Sequence, residues 1–147
     1  MEIKTILKKL REENGLTQEQ IAERVMVTRQ AVSRWETGET QPNTDTLKLL
    51  SREFNVSINT LLGAPRQLIC QCCGMPLHED SLIHRDQNGN FNEDYCKWCY
   101  VDYVEQGKSK EELLDFLIGH MPNPDHVSDE ERRTQYDSYL STLKNWK

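Results

Sequence analysis

The chain has 147 residues, enough for one domain or two small ones, and 18 Lys+Arg against 24 Asp+Glu give a formal charge of −6. That balance excludes a molecule that attracts polyanions over its whole surface. Residues 1–63 hold nine basic and nine acidic side chains, so the entire deficit lies in the remaining 84, and any nucleic-acid site has to be a local patch in the first segment.

The opening stretch MEIKTILKKLREEN interrupts its apolar residues with charge at every turn. No apolar run approaches the roughly 20 residues needed to span a bilayer, so a cytoplasmic chain is expected, and its thiols are expected to be reduced. Ile3, Ile6, Leu7 and Leu10 recur at helical spacing and predict a first helix ending near Asn14-Gly15. A second helix follows Thr17, whose pairing with Gln20 forms a capping box, with Leu16 and Ile21 as the apolar staple. Thr28 caps a third helix, with Val27 and Val32 as its staple, and Gly38 ends it ahead of Pro42.

The third helix, 29–36, is two-faced. At about 100° per residue, Ala31, Val32 and Trp35 share one side, while Arg29, Gln30, Ser33 and Arg34 spread over the other. Guanidiniums, an amide and a hydroxyl are groups that hydrogen-bond base edges and phosphates. A solvated polar face would look the same in an isolated helix. Here, two capped helices joined by about three residues set the context.

Residues 3–63 resemble the Cro and phage-repressor (XRE) helix-turn-helix family. The shared features are L-T-Q-x-x-[IL]-A, V-x-x-x-x-V-S-x-W-E-x-G-x-x-x-P, then L-x-x-L and V-x-x-x-x-L-L. The resemblance implies a five-helix domain that lays its third helix in the major groove of double-stranded DNA and crosses the backbone with its second. By position, Arg29, Gln30, Ser33 and Arg34 become the base-facing set and Thr28 lies near a phosphate. Gln18 meets the backbone or an edge base, and Thr40 and Gln41 meet phosphate. Arg29 or Arg34 suits guanine and Gln30 adenine, at roughly 1–3 kcal/mol of discrimination for each bidentate contact. The resemblance also implies an Arg11–Glu36 pair. Met26 departs from it, standing where the family has glycine in the turn; a positive φ there would cost about 1–2 kcal/mol.

GAPRQ, Gly63 to Gln67, separates the helical pattern from a cysteine-bearing one. The expected division is a DNA-binding domain over 1–63, a linker over 64–67, and a zinc-ribbon domain with a helical tail over 68–147. Cys70-x-x-Cys73 and Cys96-x-x-Cys99 lie 22 residues apart and form two knuckles, which predicts one structural Zn²⁺ on four thiolates. A ligand set of three cysteines with His78 or His84 is the alternative, and a thioredoxin-like redox pair is a weaker one because no βαβ frame surrounds it. Asn88-Gly89 marks a hairpin turn between short strands. The wording CQCCGMPL…YCKWCY also resembles a zinc-ribbon family found in bacterial proteins, where a serine stands at the position of Cys72 and D-G often follows the second knuckle; here Tyr103 follows Asp102. Cys72 is thus a spare thiol, either a tolerated substitution or a point at which oxidation could dislodge zinc.

Two helices are expected after the ribbon, opened by Ser109–Glu112 and Ser128–Glu131 capping boxes. The first carries Leu113, Leu114, Phe116 and Leu117; in the second, Tyr136, Tyr139, Leu140 and Leu143 form a stripe for a neighbouring domain, a second copy or a partner. The fold class is therefore mainly α with a small ribbon. No motif supplies a nucleophile and base, so the chain reads as a DNA-binding transcription regulator rather than an enzyme. It is expected as a homodimer on an inverted repeat, with the C-terminal domain serving assembly or a protein partner. An antitoxin-like or adaptor protein and a zinc or thiol redox sensor are the other readings.

Overall fold

The structure is a computed structural model that describes residues 2–147. The chain divides into two compact units: the chain up to Gln67 together with Arg85–Phe91, and Leu68–His84 together with Asn92–Lys147.

The first unit holds five helices, α1 (Ile3–Glu13), α2 (Gln18–Arg24), α3 (Arg29–Thr37), α4 (Thr44–Phe54) and α5 (Ile58–Leu61). Their ends are set by side chains close in sequence. Thr17 Oγ1 accepts from the Gln20 amide at 3.1 Å, and Gln20 Oε1 accepts from the Thr17 amide at 2.9 Å, completing the expected box. Thr28, Asn43 and Ser57 cap α3, α4 and α5 in the same sense, each accepting from the amide three residues on. Gly38 closes α3 in the left-handed region, at φ +85°. Leu7, Ile21, Val25, Val32, Trp35 and Leu50 meet in one buried cluster, the apolar faces of α1 to α4 turned inward. Burying one such aliphatic side chain contributes about 1.5–3 kcal/mol.

The second unit begins with a knuckle hairpin. Leu68 to Cys70 runs back along Met75 to Leu77, through the Cys70 amide on Met75 O at 3.0 Å and the Leu77 amide on Leu68 O at 2.9 Å. Two strands, β1 (Ile83–Arg85) and β2 (Phe91–Cys96), pair into a small sheet, of which Arg85 and Phe91, with the loop between them, are counted with the first unit. The loop between them is longer than a two-residue Asn-Gly turn. The Asp86 amide donates to Asn90 O while Asp86 O accepts from Gly89, so Gln87, Asn88 and Gly89 form a three-residue loop with Gly89 at φ +83°. Asp86 Oδ1 accepts from the Asn88 and Asn90 amides, which secures that geometry.

After the second knuckle the chain makes a π-helical segment, Tyr100–Glu105, then α6 (Lys110–His120) and α7 (Asp129–Leu140). The Ser109–Glu112 box at α6 is complete. At α7, Ser128 accepts from the Glu131 amide at 3.3 Å, but no return bond from the Glu131 side chain forms, so that box is half-built. Leu113 and Leu114 are buried, whereas Phe116 is 53% exposed and stacks on His120 instead of entering the core. The expected stripe on α7 is also broken. Leu140 is buried within the helix, but Leu143 is buried in the turn beyond it, and Tyr139 is 46% exposed. Arg132, charged yet buried, takes the inward place, because α6 ends with carbonyls that need donors.

Candidate nucleic-acid interface and metal centre

α3 turns Val32 and Trp35 into the core and leaves Arg29, Gln30 and Arg34 exposed, with Ser33 half-buried between the two faces. Arg29 Nη1–H donates to Gln18 Oε1 at 3.3 Å, so the first residues of α2 and α3 meet at one edge of this face. Thr28 is exposed with its hydroxyl already engaged in capping, and Thr40 and Gln41 are exposed in the loop after α3. Arg34 Nε lies 3.8 Å from Glu39, a pair at solvent that leaves the guanidinium available to other acceptors.

Two features hold α3 in place. Arg11 grips Glu36 with two hydrogen bonds and also donates from Nη1 to Leu16 O at 2.9 Å. The Glu36 carboxylate raises the Arg11 pKa above its ordinary value, chiefly by hydrogen bonding, against an opposing effect of burial. Met26 sets the turn between α2 and α3 at φ +59°, and the residue is 79% exposed. A methionine therefore occupies the left-handed conformation, as the glycine-like position requires.

In the second unit the sulfurs of Cys70, Cys73, Cys96 and Cys99 all lie within 4.8 Å of one another. Four thiolates around zinc at about 2.3 Å stand about 3.8 Å apart, so the four cysteines are positioned to bind one metal ion after a small contraction. Neither His78 nor His84 belongs to this cluster; His78 is exposed and His84 stacks on Tyr100. Hydrogen bonding from Cys73 foremost, then Cys96 and Cys99, holds the Cys70 thiol far below the usual range, while Cys70 first among its neighbours pushes Cys99 far above it. Cysteine ligates as the thiolate, so binding of a soft cation here releases protons. The Cys99 amide donates to Cys96 Sγ at 3.4 Å, favouring the thiolate.

Cys72 stands outside the cluster and is completely buried. Of the two readings of this thiol, its burial favours a tolerated substitution over a point of oxidation, since redox-sensing cysteines are solvent-accessible. Three further side chains could not be singled out from local pattern. Asn59 brackets Arg66, accepting from its amide and donating to its carbonyl. Arg132 donates to Ile118 O and Met121 O at the end of α6. Trp146 donates from Nε1 to Cys72 O at 2.8 Å. None of the three carries a sequence clue, because each partner lies between 7 and 74 positions away.

Among the described residues no helix is long and apolar enough to cross a membrane. The sequence model of the family described as "Helix-turn-helix" matches residues 7–61. The one described as "Putative zinc ribbon domain" matches residues 69–147, more than half of the chain. The HTH-type transcriptional activator BcrR of Enterococcus faecalis is 47% identical over 63 residues, which are 43% of this chain and 31% of that protein. The chain thus spans less than a third of that relative's length. No solved structure matches the chain. With its four clustered cysteines inside the matched segment, the chain belongs to this zinc-ribbon family, and an XRE-type helix-turn-helix precedes the ribbon.

Proposed function

We propose that the chain is a sequence-specific DNA-binding transcription regulator. The observation that carries this is the division of α3: a buried apolar side and an outward set of Arg29, Gln30 and Arg34, with Gln18 bonded to Arg29 at the leading edge. On this reading α3 enters the major groove, Ser33 contributes at its centre, and Thr28, Thr40 and Gln41 engage phosphates. Residues 1–63 bind DNA, residues 64–67 link, and residues 68–147 form a ribbon that one zinc ion keeps folded. Two copies related by a twofold axis bind an inverted repeat. The name of the E. faecalis relative, a transcriptional activator, agrees with this over the aligned part. The test is selection from random duplex DNA at fixed salt. The expected product is an enriched motif with twofold symmetry; absence of any enrichment would sink sequence-specific binding, and an asymmetric motif would sink the dimer.

A second reading, an adaptor or antitoxin-like protein, draws support from the exposed Trp98, Val101 and Val104 beside the second knuckle. It expects a stoichiometric protein partner held by residues 68–147. A redox sensor gains no support from the buried Cys72.

A further inference from the structure

We propose that the segment from Tyr139 to Trp146 positions the first zinc knuckle and thereby sets how tightly the metal is held. The carbonyls of Gln71, Cys72 and Gly74 lie between or just beyond the ligands Cys70 and Cys73, and each is taken by this one segment. The Asn145 amide donates to Gln71 O at 3.0 Å, Trp146 Nε1–H to Cys72 O at 2.8 Å, and Tyr139 O–H to Gly74 O at 3.3 Å. The Lys144 amide adds a bond to Gln71 Oε1 at 3.2 Å.

The consequence for the metal follows from the planar trans peptide, whose C=O and N–H point in opposite directions. Fixing Cys72 O on Trp146 turns the Cys73 N–H away from that indole. The peptide held in this way is the one that carries Cys73, itself one of the four ligands. Trp146 thus acts through the peptide as an outer partner of the site, the kind of contact that orients ligands and tunes affinity. The segment is itself anchored from β2: Tyr95 O–H donates to Asn145 Oδ1 at 3.2 Å, and Lys144 Nζ lies 3.3 Å from Asp94. Gly74 completes the fit. At φ +78° it is the residue type the turn needs, and a Cβ there would overlap the Tyr139 ring. The second knuckle is held otherwise, by its own Cys99 amide and by Lys97 N–H on Leu82 O at 2.9 Å.

The experiment uses the full-length zinc-loaded protein. Trp146→Phe keeps a ring against Tyr103, whose centroid is 6.0 Å away, but removes the N–H. Zinc affinity is read by competition with a chromophoric chelator, and site geometry by the ligand-field and sulfur-to-metal charge-transfer bands of the cobalt-substituted protein. The expected result is an affinity lowered about tenfold, with shifted cobalt bands. Trp98→Phe, in the exposed part of the second knuckle, leaves both readings as in the parent. Tyr95→Phe frees Asn145 without altering the segment and gives a smaller loss in the same direction, which decides the matter if Trp146→Phe does not fold. Parent-like affinity and parent-like cobalt bands in Tyr95→Phe and any folded Trp146→Phe would overturn the proposal.

Discussion

Arg11 and Glu36 stand 25 positions apart, yet Nε–H reaches Oε2 at 2.8 Å and Nη2–H reaches Oε1 at 2.9 Å. The Glu36 side chain is 6% exposed and that of Arg11 14%, so water replaces little if the pair is broken. Glu36→Gln keeps the shape and removes the charge. It is expected to destabilise the first unit by about 1–3 kcal/mol in urea unfolding, because a nearly buried guanidinium loses its counter-charge. Replacing both residues with apolar ones should cost less than the sum of the single changes; a strictly additive result would mean that the two do not act as a pair.

Arg29→Ala and Gln30→Ala each remove an exposed side chain from α3 without opening the core beneath. Each is expected to lose roughly 1–3 kcal/mol of discrimination at one position of the selected sequence, with an unchanged melting temperature. Full discrimination retained in both variants would reject α3 as the reading element.

Met26 holds φ +59° with its side chain mostly in solvent. Met26→Gly relieves about 1–2 kcal/mol of left-handed strain, offset by the greater freedom that glycine brings to the unfolded chain. The expected net is a gain of about 0.5–1 kcal/mol, read by urea titration. Met26→Val should lose stability, since a β-branched side chain fits that conformation least.

Chelation is expected to unfold the second unit and leave the helical first unit melting as before. In a small metal-binding unit the free energy of binding the metal is free energy of folding, and four sulfurs gathered within 4.8 Å lose their common partner once the metal is gone. Acid acts in the same direction, because protons compete for the thiolates. Near-ultraviolet circular dichroism with and without chelator measures this, and a single shared transition lost with the metal would contradict it.

Arg132 supplies donors to Ile118 O at 3.2 Å and Met121 O at 3.0 Å. Arg132→Met leaves those carbonyls at the end of α6 without their partner and is expected to cost about 1–3 kcal/mol. Arg132→Lys recovers part of that, since an ammonium can satisfy one carbonyl but not span both with a planar fork. Thermal unfolding of the two variants separates them.

The parts legible in the sequence are those written within a few residues. Thr17 with Gln20, Ser109 with Glu112 and Gly38 after α3 announce helix ends because the partners are three or four positions apart. The four clustered cysteines were legible because each knuckle is local, although their convergence is not. Contacts that depend on distant chain were hidden: Arg132 under α6, and Tyr139 and Trp146 on a knuckle 65 and 74 positions upstream. Phe116 misled because its spacing suits a buried face, yet it stacks on His120 in solvent. Asn88-Gly89 marked the right loop but not its length, since Asp86 fixes a third loop residue by binding the amides that follow it.

The hold of Trp146 on Cys72 also sets a timetable for a chain made from one end. The first knuckle leaves the ribosome 74 residues before the indole that will take its carbonyl. At about 5–20 residues per second, that is an interval of roughly 4–15 s. During it, water must occupy the places that Tyr139, Asn145 and Trp146 later fill. A newborn ribbon therefore passes through a stage in which its cysteines have all emerged but the first knuckle has not been clamped.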